Sequence, residues 1–243
     1  MNDAEFRLLD EIEDGQWWFV GKRLILRTLL ERHAPRGRVL DLGCGTGGIL
    51  RDFMQLYPCY GADRSELALR ICTEKGFDRL VRSDLVDLPF AAGAFDTILA
   101  LDVIEHLEDD VDFLVNAGRL LAPGGRMLLS VPAFPILWSQ HDVTFQHYRR
   151  YRADDLRDVV ERAGFVPERI THTNSLVFPA AFLWRVLSSR TPLSRHAPKH
   201  DFFPIPSWLN ALLVEIYRFE TRLLRVADLP VGVSVVCVAR KEA

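Results

Sequence analysis

The stretch "SQHDVTFQHYRRYR", Ser139 to Arg152, concentrates groups that can move protons or hold anions. Histidine as a residue type suits removal of a proton from a hydroxyl or amine near neutral pH, which makes His141 and His147 base candidates. Asp142 is placed to orient one of the two imidazoles. Arg149, Arg150 and Arg152 offer forked hydrogen bonds to an acidic acceptor, or pair with Asp154, Asp155 and Asp158 just downstream. A second set, "DVIEHL", carries His106 as a third base candidate beside Asp102 and Glu105. Asp102, Glu105 and His106 could gather around a divalent ion. His141 and His147 lack the i,i+4 spacing of a helical zinc pair, and the reading assigns no metal. The bland alternative is that these histidines and arginines tie a loop to the helix that follows. Nucleic-acid binding by "YRRYR" is disfavoured, because Asp154 and Asp155 follow at once.

A second constellation is "VLDLGCGTGG", in which Gly43, Gly45 and Gly48 satisfy G-x-G-x-x-G. Alone this means a nucleotide-like ligand at a strand-to-helix turn. Asp41 narrows the choice. A dinucleotide would bring an anionic pyrophosphate here, which a carboxylate repels. S-adenosylmethionine brings an amino group and a sulfonium, both cationic. Asp63 can accept hydrogen bonds from ribose hydroxyls. Asp84 can accept from an adenine amino group, with the Leu85 backbone against the ring. Each aspartate could instead be a helix cap or turn former. Their placement at three successive strand ends favours one ligand, because open parallel sheets bind at the carboxyl ends of their strands.

The elements that must position these groups follow from pattern. "RVLDLG", "YGADRS", "RLVRSD", "FDTILALDV" and "RMLLSVPA" read as strands, separated by helices over Glu66–Lys75 and Asp109–Leu121. "FDTILALDV" has no polar alternation, as expected of a strand buried on both faces. "APGG" reads as a turn. A helix over Ala153–Ala163, a strand around Glu168–Thr173 and a final strand in "VGVSVVCVAR" complete the series. The order implies an α/β fold with a parallel sheet covered by helices.

The set "VLDLGCGTGG", "GADRS", "SDLVDLPF", "FDTILALDVIEHL" and "LLAPGGRMLLSVP" resembles the class I S-adenosylmethionine-dependent methyltransferases. It appears in that family's order and spacing over about residues 38–133. The resemblance implies a Rossmann-like, doubly wound sheet of seven strands with the last antiparallel. It implies cofactor contacts at the Asp41–Gly47 turn (Asp41, Gly43, Cys44, Gly45, Gly47), at Asp63 and Arg64, at Asp84 and Leu85, and at Leu101 and Asp102. In this fold the segment after the fifth strand borders the acceptor, which places His141 and His147 near the chemistry. "QWWFVGKR", "LWSQHDVTFQHYRRYR" and "LPVGVSVVCVARK" look like a bacterial subgroup with a surface-polysaccharide or lipid-linked context.

Outside that core, "GQWWFVG" reads as an aromatic loop within an N-terminal cap helix over residues 1–36. Trp18 would cover the cofactor, and Arg23 or Lys22 would meet its carboxylate. Residues 175–227 form a helical insertion before the final strand, within a single domain over 1–243. Ser207 to Val226 reads as an amphipathic helix with Trp208, Leu212, Ile216, Phe219 and Leu223 on one face and Arg218, Arg222 and Arg225 on another. Such a helix can cover a pocket, make a homodimer or rest on an anionic membrane. "TPLSRHAPKHDFFPIPS" reads as an exposed loop.

A net charge of −3 gives no basic field for nucleic acid. Four unpaired cysteines and an acidic N-terminus without a signal-peptide pattern point to free thiols in a reducing cytoplasm. The expectation is methyl transfer from S-adenosylmethionine to an oxygen or nitrogen of a small molecule, such as a sugar or lipid-linked precursor. The alternatives are a nicotinamide-dependent oxidoreductase and a non-catalytic cofactor-binding protein at a membrane surface.

Overall fold

The computed structural model describes residues 3–33, 37–85, 87–189 and 205–242. Its strands are β1 (Val39–Leu42), β2 (Cys59–Asp63), β3 (Leu80–Arg82), β4 (Phe95–Leu101), β5 (Leu121–Pro132), β6 (Phe165–Thr173) and β7 (Ser234–Lys241). They form one seven-stranded sheet in the order β3-β2-β1-β4-β5-β7-β6. β1 to β5 pair in parallel. β7 runs antiparallel between β5 and β6. The chain order reverses at β1, which lies between β2 and β4, and a crevice opens at the carboxyl ends there.

The helices are α1 (Asp3–Ile12), α2 (Trp17–His33), α3 (Gly48–Phe53), α4 (Glu66–Glu74), α5 (Asp110–Leu120), α6 (Gln140–Thr144), α7 (Ala153–Arg162), α8 (Phe178–Ser189) and α9 (Ser207–Leu224). Two apolar layers cover the sheet. Ile98 and Ala100 of β4 pack in one, with Leu114 of α5 and Leu156 of α7. Leu99 and Leu101 pack in the other, with Leu29 of α2 and Tyr217 and Leu224 of α9. β4 is therefore buried on both faces, which is why its sequence does not alternate.

Three local readings change. The N-terminal segment is two helices, and Trp17 opens α2 rather than lying in a loop. The break has a cause: Arg23 reaches back to donate to the carbonyls of Glu13 and Asp14, which face no further helical turn. Residues 34–36 lie outside the described residues. "APGG" belongs to β5, whose pairing with β4 slips between Phe95 and Thr97. α9 turns Tyr217, Glu220, Thr221 and Leu224 inward and leaves Trp208, Leu212 and Phe219 exposed, the reverse of the expected apolar face. The loop expected over 191–207 lies almost wholly outside the described residues.

Between β6 and β7 the chain inserts α8 and α9. α9 packs on α2, where Gly21 admits the Tyr217 ring: a Cβ on Gly21 would lie 2.3 Å from it. Asn210 bridges the same pair, accepting from Trp17 N at 2.8 Å and donating to Gly15 O at 2.9 Å. Buried Glu220 accepts from the N–H groups of Asn174, Ser175 and Leu176 at 2.6, 2.9 and 3.1 Å, which ties the approach to α8 onto α9.

Candidate active site

A cavity of about 1210 Å³ opens at the carboxyl ends of β1, β2 and β4. Its floor is the turn after β1. Gly43, Gly45 and Gly47 all have positive φ, a conformation glycine adopts without steric cost. Gly48 serves close approach instead, since a Cβ there would meet Glu13 Oε2 at 2.3 Å. Glu13 accepts from Thr46 Oγ1 at 2.7 Å and pairs with Lys75 at 2.5 Å, so the end of α1 is fastened over the turn. No sequence signal singled out Glu13.

Asp63 accepts from Gly45 N at 2.9 Å and Ser65 N at 2.8 Å, which fixes the turn to the end of β2. Both its oxygens keep a lone pair for a ligand. Gly43, Cys44, Gly45, Asp63, Arg64, Asp84, Leu85, Leu101 and Asp102 line the cavity. Cys44 is buried, and Leu85 and Asp102 have positive φ. Asp41 and Gly47 do not line it. Asp41 is 2% exposed, and burial, against the pull of Lys22, pushes its carboxyl up to about 8. The anion expected from Asp41 is thus not presented to the cavity.

Trp18 and Arg23 also line the cavity. The Arg23 guanidinium is occupied, bonding the two carbonyls of the α1–α2 connection and pairing with Asp52 at 3.2 Å. It braces the N-terminal helices. Lys22 also lines the cavity and bonds Asp102 at 2.5 Å, while Ser130 Oγ donates to the other Asp102 oxygen at 2.8 Å. The Asp102 side chain is 44% accessible and faces the cavity, so its desolvation comes from the surrounding walls. That desolvation would raise its carboxyl; Lys22 and Ser130 outweigh it and hold it below the usual range.

The far end is built from imidazoles. His106, His141 and His147 all line the cavity. His106 and His147 meet edge to face, with centroids 4.6 Å apart, and the His141 and His147 centroids lie 6.0 Å apart. Burial, then the neighbouring His147, pushes His106 down to about 4. His147 Nδ1 lies 2.9 Å from Asp142 Oδ1. Asp142 is 0% exposed and accepts from Arg150 through Nε at 2.7 Å and Nη2 at 3.0 Å, and from Ser139 N at 2.8 Å. Burial would raise its carboxyl, but His147 and Arg150 hold it far below the usual range. With the imidazole neutral, the anionic Asp142 accepts a hydrogen bond from Nδ1–H, which puts the lone pair on His147 Nε2.

Two of the three arginines of "YRRYR" bind inward, while Arg152 is exposed. Arg150 holds Asp142, and Arg149 bonds Asp110 at 3.0 Å and the Glu108 carbonyl at 2.7 Å. Tyr151 Oη donates to Asp110 at 2.7 Å. Glu105, beside His106, lines the same end, and burial and Asp102 push its carboxyl well up. A ligand atom from each of Glu105, His106 and His147 lies within 4.8 Å of the other two.

α8 and α9 close the remaining side with Val177, Ala180, Ala181, Leu213 and Ile216. Among the described residues no helix is long and apolar enough to cross a membrane.

Comparison with known proteins agrees with this geometry. Residues 20–170 match the family model described as "Methyltransferase domain". A Mycolicibacterium smegmatis protein named "Probable S-adenosylmethionine-dependent methyltransferase" is 29% identical over 67% of this chain and 64% of its own length. The tRNA (carboxymethyluridine(34)-5-O)-methyltransferase of Xenopus tropicalis is 38% identical over 40% of this chain and 16% of its own. The chain thus spans under two thirds of the curated relatives it matches here. The methyltransferase in a Haloferax volcanii complex with the activator Trm112 shares the fold, with TM-score 0.65, 19% identity and coverage of 99% and 96% of the two chains.

Proposed function

Because the chain belongs to the class I S-adenosylmethionine-dependent methyltransferases, we propose that it methylates an oxygen of a small-molecule acceptor held at the imidazole end of the cavity. The observation that carries this reading is the joining of the glycine turn and the histidine cluster in one cavity of about 1210 Å³. That volume has room for a nucleoside cofactor and a second molecule.

The residues present fit the cofactor. The glycine turn offers open backbone, Asp63 offers acceptors for ribose hydroxyls, and the Asp84–Leu85 segment borders the place for adenine. Asp102 and Lys22 face its methionine end, and Trp18 covers it. When bound, S-adenosylmethionine supplies a methyl group already activated on sulfur. The protein's task is then to align the nucleophile and remove its proton. The imidazole end does the latter, with Asp142 and Arg150 fixing His147. An oxygen acceptor is favoured because a hydroxyl gains most from such a group.

The acceptor class is supported by two features. Arg149 and Arg150, two of the three arginines that could have met a nucleic acid, are used in internal pairs. The insertion presents apolar side chains to the cavity and so acts as a lid over an acceptor with an apolar part. The outer face of α9, with Trp208 68% exposed near its start and exposed Arg218 and Arg222 further along, favours docking of that lid on an anionic membrane.

Methyl-labelled cofactor and fractionated host extract test the reading. Label should enter the aqueous or lipid small-molecule fraction; label confined to RNA would overturn it. In single turnovers His147→Ala should lose roughly 100-fold or more in rate with cofactor affinity kept. A loss of only a few-fold would remove the imidazole end from the chemistry.

A further inference from the structure

The carboxylate of Glu105 is the least explained group in the protein. It is 0% exposed, and neither oxygen hydrogen-bonds another of the described residues. Burying a carboxylate without partners is costly, and such groups in native folds call for a counter-charge or a ligand. The nearby cations are engaged elsewhere: Lys22 bonds Asp102, and Arg150 clasps Asp142. What faces Glu105 is a pair of imidazoles, His106 and His147, with one ligand atom from each of the three residues inside 4.8 Å of the others.

We propose that Glu105, His106 and His147 hold one divalent metal ion at the acceptor end of the cavity. Two histidines and one carboxylate with open positions suit a first-row ion such as Zn²⁺, Mn²⁺ or Fe²⁺. The outer contacts match those of a metal-ligating histidine. His147 bonds Asp142 through Nδ1 at 2.9 Å, which fixes the ring and turns Nε2 toward the cluster. Asp142 is itself fixed by Arg150 and Ser139. The two ligand-bearing segments are joined beforehand, since Tyr148 N donates to the Glu105 carbonyl at 2.7 Å. All three residues line the cavity, so the open positions face the acceptor.

The ion deepens the O-methyl transfer reading, and its role, though not its binding, rests on that reading. An acceptor hydroxyl on the metal loses its proton to solvent more readily. The oxygen then forms its bond to the methyl carbon as the carbon–sulfur bond breaks, giving a neutral thioether. On this account the imidazole end still serves proton removal, with His147 holding the ion that acidifies the hydroxyl.

The test uses the full chain, stripped with chelator and dialysed separately against Zn²⁺, Mn²⁺ and Co²⁺. Elemental analysis should find one ion per chain, and Co²⁺ should give visible absorption bands of nitrogen and oxygen coordination. Glu105→Gln keeps the side-chain shape and should weaken binding by at least about 100-fold. Cofactor binding and thermal melting check that the variant folds; if it does not, His106→Asn takes its place. No stoichiometric ion in the parent protein, or equal binding in a folded Glu105→Gln, overturns the proposal. Methyl transfer that is indifferent to chelation overturns it too, and leaves the O-methyl transfer reading standing. A bound ion with no labelled product from any extract supports the metal site and overturns that reading instead.

Discussion

Replacing Asp142 with asparagine should destabilise the fold by about 3–5 kcal/mol. Five donors converge on this carboxylate. His147 Nδ1 and Arg150 Nε meet Oδ1 at 2.9 and 2.7 Å; Ser139 N, Ser139 Oγ and Arg150 Nη2 meet Oδ2 at 2.8, 3.2 and 3.0 Å. An amide keeps one acceptor oxygen and turns the other into a donor. Either placement sets an NH₂ group against an Arg150 N–H, and the buried guanidinium loses its counter-charge. Breaking one side of a buried pair leaves an uncompensated charge, which sets the size of the loss. At about 2–4 °C per kcal/mol for a chain of this size, the melting temperature should fall by roughly 6–20 °C. Urea unfolding followed by tryptophan fluorescence should show a lower midpoint at unchanged slope. The pH dependence gives a second check. The folded Asp142 carboxyl lies below its unfolded value of about 3.9. Its contribution is therefore complete above that pH and is lost as pH falls through it toward the folded value. The gap between parent and variant should narrow below about pH 4. A loss under about 1 kcal/mol, or a gap independent of pH, would refute the assignment of Asp142 as the charged pivot of this end.

Tyr217 Oη is buried without a hydrogen-bond partner among the described residues, so Tyr217→Phe should leave stability unchanged or raise it by up to about 1 kcal/mol, read from the urea midpoint. Gly21→Ala drives a Cβ to 2.3 Å from the Tyr217 ring and should cost about 1–3 kcal/mol, less in a Tyr217→Leu background. Glu220→Ala removes the acceptor of three N–H groups before α8. It should cost about 2–4 kcal/mol and speed hydrogen exchange at Asn174, Ser175 and Leu176.

The sheet was legible because its strands are short apolar runs ending in polar or glycine residues, and each run had one place in a parallel order. The antiparallel last strand was expected from family resemblance, and β7 runs antiparallel to both β5 and β6 accordingly. The misreadings share a cause. The break after α1 is set by a guanidinium ten residues along the chain, which no local propensity records. The buried stripe of α9 contains Glu220 and Thr221, so a search for apolar periodicity selects the other face. Glu220 is inside because it caps a neighbouring segment, and that is visible only once the two are side by side.

The two ends of the cavity differ in legibility for a physical reason. The cofactor end is made largely of backbone: positive-φ glycines pinned by Asp63, a requirement that local sequence must meet. The histidine end is made of side chains whose roles depend on who pairs with whom. Lys22 and Arg23 are adjacent and equally basic, yet about 100° apart around α2, so one meets Asp102 and the other the α1 carbonyls. Arg149, Arg150 and Tyr151 could have met an anionic acceptor, but Asp110 and Asp142 claim them. Those internal pairs anchor the His147 segment to the end of β4 without using α8 or α9. The insertion is therefore free to change the acceptor while the proton-handling groups keep their places. Substitutions at Ala180, Ala181 or Leu213 should accordingly shift KM for the acceptor and leave the His147–Asp142 geometry intact.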